Sequence, residues 1–441
     1  MIAKSLTLKS LLAAGADPNT ARPDKSTALA WAIDHQDFES VQLLLAAKAD
    51  PNTRDEDGIA PLSVACDRGD AQIVNALIEA KAAVNDVRPD GISALALCAG
   101  NSSAAAVERL IAEGAKVNDV SPLGQTPLMR AASRGNVPNI ELLVKNGAAI
   151  NKASNRGFTP LFFAIQSGAP EAPLTVLKLG GDVKYVSPDG ATSLELALLR
   201  GDFPLATVLV EKGADVKHWD VNGYQPLHLA ARHNNIEFAK LLLSKGVDVN
   251  VLTKQAYRVI PGERSNDHVS WWPDNDPAVK VVMMHRSDGA GLPPPPPARP
   301  ALFIAAQEGW TDMMKLLASA GAKTDFRAGD GSNLVLAAIP SGKADVVRYA
   351  IQLNPDINAV TENGTGAIQV ALNSSNNIFA LQDGYEVEPI LRLLAEKGAT
   401  LDGKNSRGQT PQTIVDRSSP EIQAVWASIL KERGVGQVAA R

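Results

Sequence analysis

Apolar residues recur along the chain in pairs of short amphipathic segments, and residues 124–151 form the clearest pair. A spacing of three to four residues between apolar positions predicts a helix with one buried face. The two faces of this pair consist of Leu128, Ala131 and Ala132, and then Ile140, Leu142 and Leu143. The pattern therefore predicts two short helices joined by a turn and followed by an extended run.

Polar and special residues mark the ends of these helices. Thr126 can cap the first helix through its hydroxyl group, and Pro127 fits the first helical position, where no amide hydrogen is needed. Gly135 suits the C-terminal cap, and Gly124 permits a left-handed hairpin turn ahead of the helix. The unit is therefore predicted to be helix, turn, helix and β-hairpin.

The position of Thr126 recurs with a period of 33 residues, as in Thr126, Thr159 and Thr192. The period runs without a break at first, resumes after one gap and closes after a second. The residues at this position are Thr27, Ala60, Ser93, Thr126, Thr159, Thr192, Gln225, Pro300, Asn333, Gly366 and Thr410. Such a period indicates stacked repeats, because one repeat alone cannot bury its apolar face.

Two segments carry the repeat most completely: GQTPLMRAASRGNVPNIELLVKNGAAIN at 124–151 and NGYQPLHLAARHNNIEFAKLLLSKGVDVN at 222–250. Their Pro-Leu start, paired alanines, second-helix leucines and final asparagine resemble the ankyrin repeat. The resemblance implies an all-α solenoid, in which each 33-residue repeat contributes two helices and a β-hairpin finger. It also implies a non-enzymatic protein that binds other proteins.

The register predicts four regions along the chain. Residues 1–20 match only the second half of a repeat, 21–250 hold repeats 1–7, and 300–441 hold repeats 8–11. Between them, 251–299 form an insertion rich in tryptophan and proline. Because the excess falls where a finger is expected, we predict that the insertion extends a hairpin finger.

The size of this insertion follows from the register. Asn250 and Pro300 are 50 residues apart, whereas the equivalent Lys217 and Gln225 are 8 apart, which leaves an excess of 42 residues. Its Trp271 and Trp272 either pack on the repeats or bind a partner, and its proline run is either a stiff spacer or a ligand for proline-binding domains. A second insertion of 11 residues, around 376–386, lengthens the turn between the helices of repeat 10, and its asparagine-rich composition indicates a solvent loop.

Charge and hydropathy exclude several classes of partner. Lys and Arg number 43 against 48 Asp and Glu, a net charge of −5 without long like-charge runs, so we expect no nucleic-acid partner. No run approaches the roughly 18 apolar residues of a membrane span. We therefore expect a cytoplasmic monomer. Because the chain starts inside a repeat, we also expect a native N-terminus further upstream, where a signal peptide would change the predicted location.

The sequence contains no motif typical of catalysis, nucleotide binding or a metal centre. Cys66 and Cys98 occupy paired-alanine positions, so we expect buried core thiols, and a disulfide between them is conceivable without support from the sequence. His228 follows Pro-Leu, where ankyrin repeats commonly carry a structural histidine. We expect no catalytic residue, no metal site and no cofactor.

The resemblance implies that partners contact the finger tips and the ends of the first helices. In repeats 1–3 these positions are mostly acidic. In repeats 4–7 they are aromatic and basic, residue types that dominate binding energy in many interfaces. The predicted partner-binding residues, with the insertion included, are Arg134, Arg156, Phe158, Arg200, Trp219, Tyr224, Arg232, His233, Trp271 and Trp272.

The leading hypothesis is a non-enzymatic scaffold that presents a rigid surface to a protein or peptide. One alternative is an accessory or regulatory chain of an enzyme whose catalytic part is elsewhere. Another is binding of a small ligand by the tryptophan-bearing insertion. The sequence leaves the identity of the partner open.

Overall fold

The computed structural model describes residues 2–220, 222–254, 297–375 and 385–434. The chain divides into two compact units, residues 1–215 and 216–441, which we call unit 1 and unit 2. Both units are built from helix pairs. Each of the repeated positions identified in the sequence directly precedes the first helix of a pair.

Unit 1 begins with a helix that precedes the first pair, and six pairs follow it. Its helices are α1 (Ile2–Ala13), α2 (Ala28–Asp34), α3 (Phe38–Ala46), α4 (Pro61–Arg68), α5 (Ala71–Glu79), α6 (Ala94–Asn101), α7 (Ala104–Ala112), α8 (Pro127–Ser133), α9 (Val137–Lys145), α10 (Pro160–Gln166), α11 (Glu171–Lys178), α12 (Ser193–Leu199) and α13 (Phe203–Glu211).

Unit 2 continues the same alternation of first and second helices. Its helices are α14 (Pro226–Arg232), α15 (Ile236–Ser244), α16 (Ala301–Gln307), α17 (Thr311–Ser319), α18 (Leu334–Ala338), α19 (Ala344–Leu353), α20 (Ala367–Ser375), α21 (Val387–Glu396), α22 (Pro411–Val415) and α23 (Pro420–Glu432), with a 3-10 turn at Ile339–Ser341.

The predicted helix ends are present in the structure. The Thr126 hydroxyl accepts a hydrogen bond from the amide of Met129 at 3.2 Å, and Gly135 adopts the left-handed conformation after α8, with φ of 67°. Thr159 is an exception, because its hydroxyl oxygen is buried without a hydrogen-bond partner in the described part of the chain. Capping by the repeated position is therefore common but not uniform.

Helices stack on the equivalent helices of the next repeat. In unit 1, α4 packs on α2 and α6, and α5 packs on α3 and α7. Paired alanines such as Ala131 and Ala132 are completely buried, and their small side chains allow the first helices to approach closely. In unit 2, α14 packs on α16 although the insertion separates them in sequence.

Asparagine side chains at the ends of most repeats join the repeat to the next one. The amide of Asn118 donates to the carbonyl of Gly147 at 2.8 Å, and its oxygen accepts from the amide of Ala149 at 2.8 Å. The same two-bond arrangement occurs at Asn19, Asn52, Asn85, Asn151, Asn250 and Asn358. Lysine replaces the asparagine at Lys184 and Lys217, and the boundary between the units lies between these two positions.

The fingers contain less regular β-structure than the hairpin prediction implies. In the described residues they form isolated antiparallel bridges, such as Val87 with Ser93 and Val186 with Thr192. Hydrogen-bonded turns replace longer strands. In one such turn the Ser154 hydroxyl accepts from the amide of Phe158 at 3.1 Å.

The two cysteines form a disulfide that joins α4 to α6, so the expectation of free core thiols is wrong. Their Cα atoms are 4.4 Å apart, and both side chains are completely buried, as expected. Cys66 occupies the second alanine position of its repeat and Cys98 the first, which is why 32 residues separate them rather than 33. This offset, together with the close approach of the first helices, brings the sulfur atoms together.

Candidate functional site

The candidate surface of unit 1 combines the ends of first helices with finger tips. Arg134 and Arg200 directly follow α8 and α12, Arg156 lies at a finger tip, and all three side chains are exposed. Their guanidinium groups form no ion pair with any residue that the structure describes. They are therefore available to a partner.

Apolar side chains stand beside these arginines. Leu123, at the tip of the finger before α8, is 59% exposed, and Leu199, the last residue of α12, is 51% exposed. Phe158 is only half-buried, and its ring centroid lies 5.8 Å from that of Phe162 and 6.4 Å from that of Phe163. Phe158 thus combines contact area for a partner with a packing role in its own repeat.

The candidate residues of unit 2 make more contacts with neighbouring side chains than the arginines of unit 1 do. The Trp219 ring is half-buried, and the Lys254 ammonium lies 3.7 Å from its centroid, in a cation–π contact. The Tyr224 ring lies 6.2 Å from the His228 ring. The two exposed members are Arg232, whose Nε lies 3.8 Å from a Glu308 oxygen, and His233.

A buried carboxylate shapes the finger that carries Trp219 and Tyr224. Asp220 accepts hydrogen bonds from the amides of Asn222 at 2.9 Å and Tyr224 at 2.7 Å. Burial raises the pKa of Asp220 above its ordinary value. Serine and threonine hold the same turn in other fingers, so we assign Asp220 a structural role.

Trp271 and Trp272 lie outside the described residues, as does most of the predicted insertion. The described residues at its two ends pair as in an ordinary finger. The Thr253 amide donates to the Arg299 carbonyl at 3.0 Å, and the Arg299 amide donates to the Thr253 hydroxyl at 3.0 Å. The two described ends of the predicted insertion are therefore adjacent.

Several of the acidic positions in repeats 1–3 are already paired within the chain. Arg68 forms an ion pair with Asp34, and the Asn101 side-chain amide donates to the Asp67 carboxylate at 3.4 Å. The Trp31 ring stacks on His35 with 3.9 Å between centroids. Trp31 is 42% exposed and was not selected from the sequence, although it is a large aromatic residue within a first helix.

His228 has a structural role, in agreement with the sequence. Its Nδ1 accepts the Gln225 amide hydrogen at 2.9 Å, so its Nε2 carries the ring hydrogen and donates to the Val251 carbonyl at 3.0 Å. The side chain is completely buried, and this burial lowers its pKa to about 4. The neutral imidazole ties α14 to the start of the next finger.

The described residues contain neither a candidate metal site nor a candidate membrane span. No group of three or more His, Cys, Asp or Glu side chains there is arranged to hold a metal ion. Among the same residues, none of the helices combines the length and apolar character needed to cross a membrane.

The family model for ankyrin repeats (3 copies) matches residues 2–89, 94–184 and 173–253, which together are more than half of the chain. The chain therefore belongs to the ankyrin repeat family, and the predicted all-α solenoid is confirmed. A search of curated protein sequences finds no match to this chain. Ankyrin repeats generally mediate protein–protein interaction, and the family is typically non-enzymatic.

Proposed function

We propose that this protein is a non-enzymatic scaffold whose unit 1 binds a partner protein through the surface formed by Arg134, Arg156, Phe158 and Arg200. The observation that supports this most strongly is the set of three exposed arginines on successive repeats, none with an ion-pair partner in the described chain. Arginine is enriched in interfaces because its guanidinium offers several donors and a planar, weakly hydrated face that can stack on aromatic rings.

We infer that this surface is already arranged for binding in the free protein. The arginines stand on helix ends and finger turns that the packed repeats already hold in place, so their backbone loses little conformational freedom on binding. Exposed Leu123 and Leu199 add apolar area beside the charges. Trp219, Tyr224, Arg232 and His233 form a corresponding candidate surface on unit 2, where Arg232 and His233 are the exposed members.

The test is affinity capture from an extract of the source organism, followed by identification of the captured protein and measurement of its dissociation constant. The variant carries Arg134→Gln, Arg156→Gln and Arg200→Gln, which remove three charges from exposed side chains. Glutamine substitutions are preferable to alanine at Phe158, Trp219 or Tyr224, because those three rings pack within the protein.

A matched control removes three exposed arginines from the side of the second helices, with Arg109→Gln, Arg348→Gln and Arg433→Gln. We expect the control to retain the partner and the test variant to lose it, with both melting like the wild type. Equal affinity of the two variants for the partner would refute the proposed surface.

A further inference from the structure

Arg130 occupies a position of the first helix that is apolar in all ten of the other repeats. This position is the fourth after the repeated capping position, and in most repeats it is buried. Its other occupants are Trp31, Val64, Leu97, Phe163, Leu196, Leu229, Ile304, Ala337, Val370 and Ile414. A charged residue at such a position carries a desolvation cost, so its presence calls for a compensating interaction.

Within the described residues the Arg130 guanidinium has no hydrogen bond or ion pair, and only the through-space attraction of Asp67 and Asp90 acts in its favour. Arg130 is half-buried, and its Nε is buried without a hydrogen-bond partner among the described residues. Burial lowers the pKa of Arg130, and the nearby positive charge of Arg134 lowers it further. The free protein thus holds two neighbouring guanidinium groups, neither of which has an ion-pair partner in the part that is described.

A second departure from the repeat makes room for these two side chains. Gly100 lies within α6, where glycine costs about 1 kcal/mol relative to alanine. A Cβ atom placed on it would lie 3.2 Å from the Cγ atoms of both Arg130 and Arg134. The equivalent residues of the neighbouring repeats, Asp67 and Ser133, both carry side chains. The two arginine stems therefore lie together over the bare backbone of α6.

Nearby carboxylates are already engaged and limit what can bind. Asp90 pairs with Arg88 at 3.2 Å, and Asp67 accepts hydrogen bonds from Asn101 through its carbonyl and side-chain oxygens. Both carboxylates, together with the net charge of −5 on the chain, would repel a polyanion such as a nucleic acid. A single carboxylate approaching between the arginines gains their attraction and meets less of that repulsion, because it carries only one charge.

We propose that Arg130 and Arg134 together bind the carboxylate of an aspartate or glutamate in an extended segment of the partner protein. This inference rests on the proposed function of unit 1 and specifies the chemistry of its partner. Guanidinium groups donate paired, charge-assisted hydrogen bonds to carboxylates. The partner's carboxylate thereby supplies the ion-pair partner that both guanidinium groups lack in the described chain, which makes the pair specific for an acidic residue at one place in the segment.

The experiment selects short random peptides, displayed on phage, against the full chain. Aspartate or glutamate should be enriched at one position of the selected peptides. Changing that residue to its amide should weaken binding roughly 10- to 100-fold, the range for a hydrogen bond between charged groups. Arg130→Gln with Arg134→Gln should weaken the acidic peptide similarly, and should have little effect on the amide peptide.

Two further variants separate charge from geometry and from folding. Arg130→Lys with Arg134→Lys keeps both charges but loses the planar donors, so it should restore only part of the affinity. Arg109→Gln, on α7, removes a charge elsewhere in unit 1 and should have no effect. Circular dichroism melting of each variant identifies any that are unfolded, and the lysine pair then supplies the test.

The outcomes distinguish this inference from the function on which it rests. Selected peptides without an acidic preference, equal loss for the acidic and amide peptides in the glutamine variant, or no selected peptide at all would each overturn carboxylate binding. If the captured partner protein still required Arg156 and Arg200 for binding, the proposed surface would stand without the carboxylate site.

Discussion

The disulfide between Cys66 and Cys98 makes a quantitative prediction for the stability of repeats 2 and 3. It closes a loop whose ends are 32 residues apart. In the chain-entropy account, a crosslink over that length removes about 12 cal/mol/K from the unfolded chain, which is about 3.7 kcal/mol at 25 °C. Reduction should lower the free energy of opening of α4 and α6 by this amount.

The variant for this measurement is Cys66→Ala with Cys98→Ala. Alanine occupies the equivalent positions one repeat further on, at Ala99 for Cys66 and Ala131 for Cys98, and both are completely buried, so the packing between the helices should survive the change. Repeat proteins open in segments, so the assay is amide hydrogen exchange resolved to individual helices. Exchange in α4 and α6 should accelerate several hundred-fold on reduction of the wild type, since each 1.4 kcal/mol is a factor of ten.

The double variant is the internal control for the reductant. It should exchange at the rate of the reduced wild type and should not respond to reductant. If oxidised wild type, reduced wild type and double variant all exchanged alike, the crosslink would contribute nothing and the entropic argument would be wrong. Thiol titration of the denatured, unreduced protein should find no free thiol, because both cysteines are bonded.

The same bond has a bearing on the predicted cellular location. Disulfides persist in oxidising compartments and are rare in the cytosol. The disulfide therefore argues against the cytoplasmic expectation. When cells are quenched in acid and the protein is alkylated after denaturation, Cys66 and Cys98 should stay unmodified, and modification of both would show that the thiols are reduced in the cell.

Three more predictions follow from the contacts between repeats. Asn118→Ala should cost about 1–2 kcal/mol in urea unfolding, because two hydrogen bonds to the next repeat are lost, and an unchanged midpoint would contradict that role. The folded-state pKa of His228, about 4, lies below the unfolded value of 6.5. The contribution of this residue to the free energy of unfolding is therefore complete above pH 6.5 and falls by up to about 3 kcal/mol as pH drops towards 4. His228→Gln should flatten this pH profile. Replacement of residues 255–298 by Asn-Gly restores the regular finger length and should leave the melting temperature nearly unchanged, whereas a large loss would show that the insertion supports the repeats.

Sequence alone determined the repeat, its register and the ends of most helices. These features depend on local signals that recur from repeat to repeat. The signals are a cap such as Thr126, a left-handed glycine such as Gly135, and apolar positions on one helical face. The final asparagine of the repeat was visible as part of the pattern. Its function of joining neighbouring repeats emerged only from the hydrogen bonds of residues such as Asn118.

Tertiary structure decided which side chains from different repeats meet. The disulfide depends on an offset of one residue between Cys66 and Cys98 and on the distance between stacked helices. Likewise, the sequence shows that Arg130 is charged at a position that is apolar in the other repeats. Its contact with Gly100, however, arises only because α8 packs on α6. Contacts of this kind join residues about one period apart, and their geometry is set by the packing of the first helices rather than by local sequence.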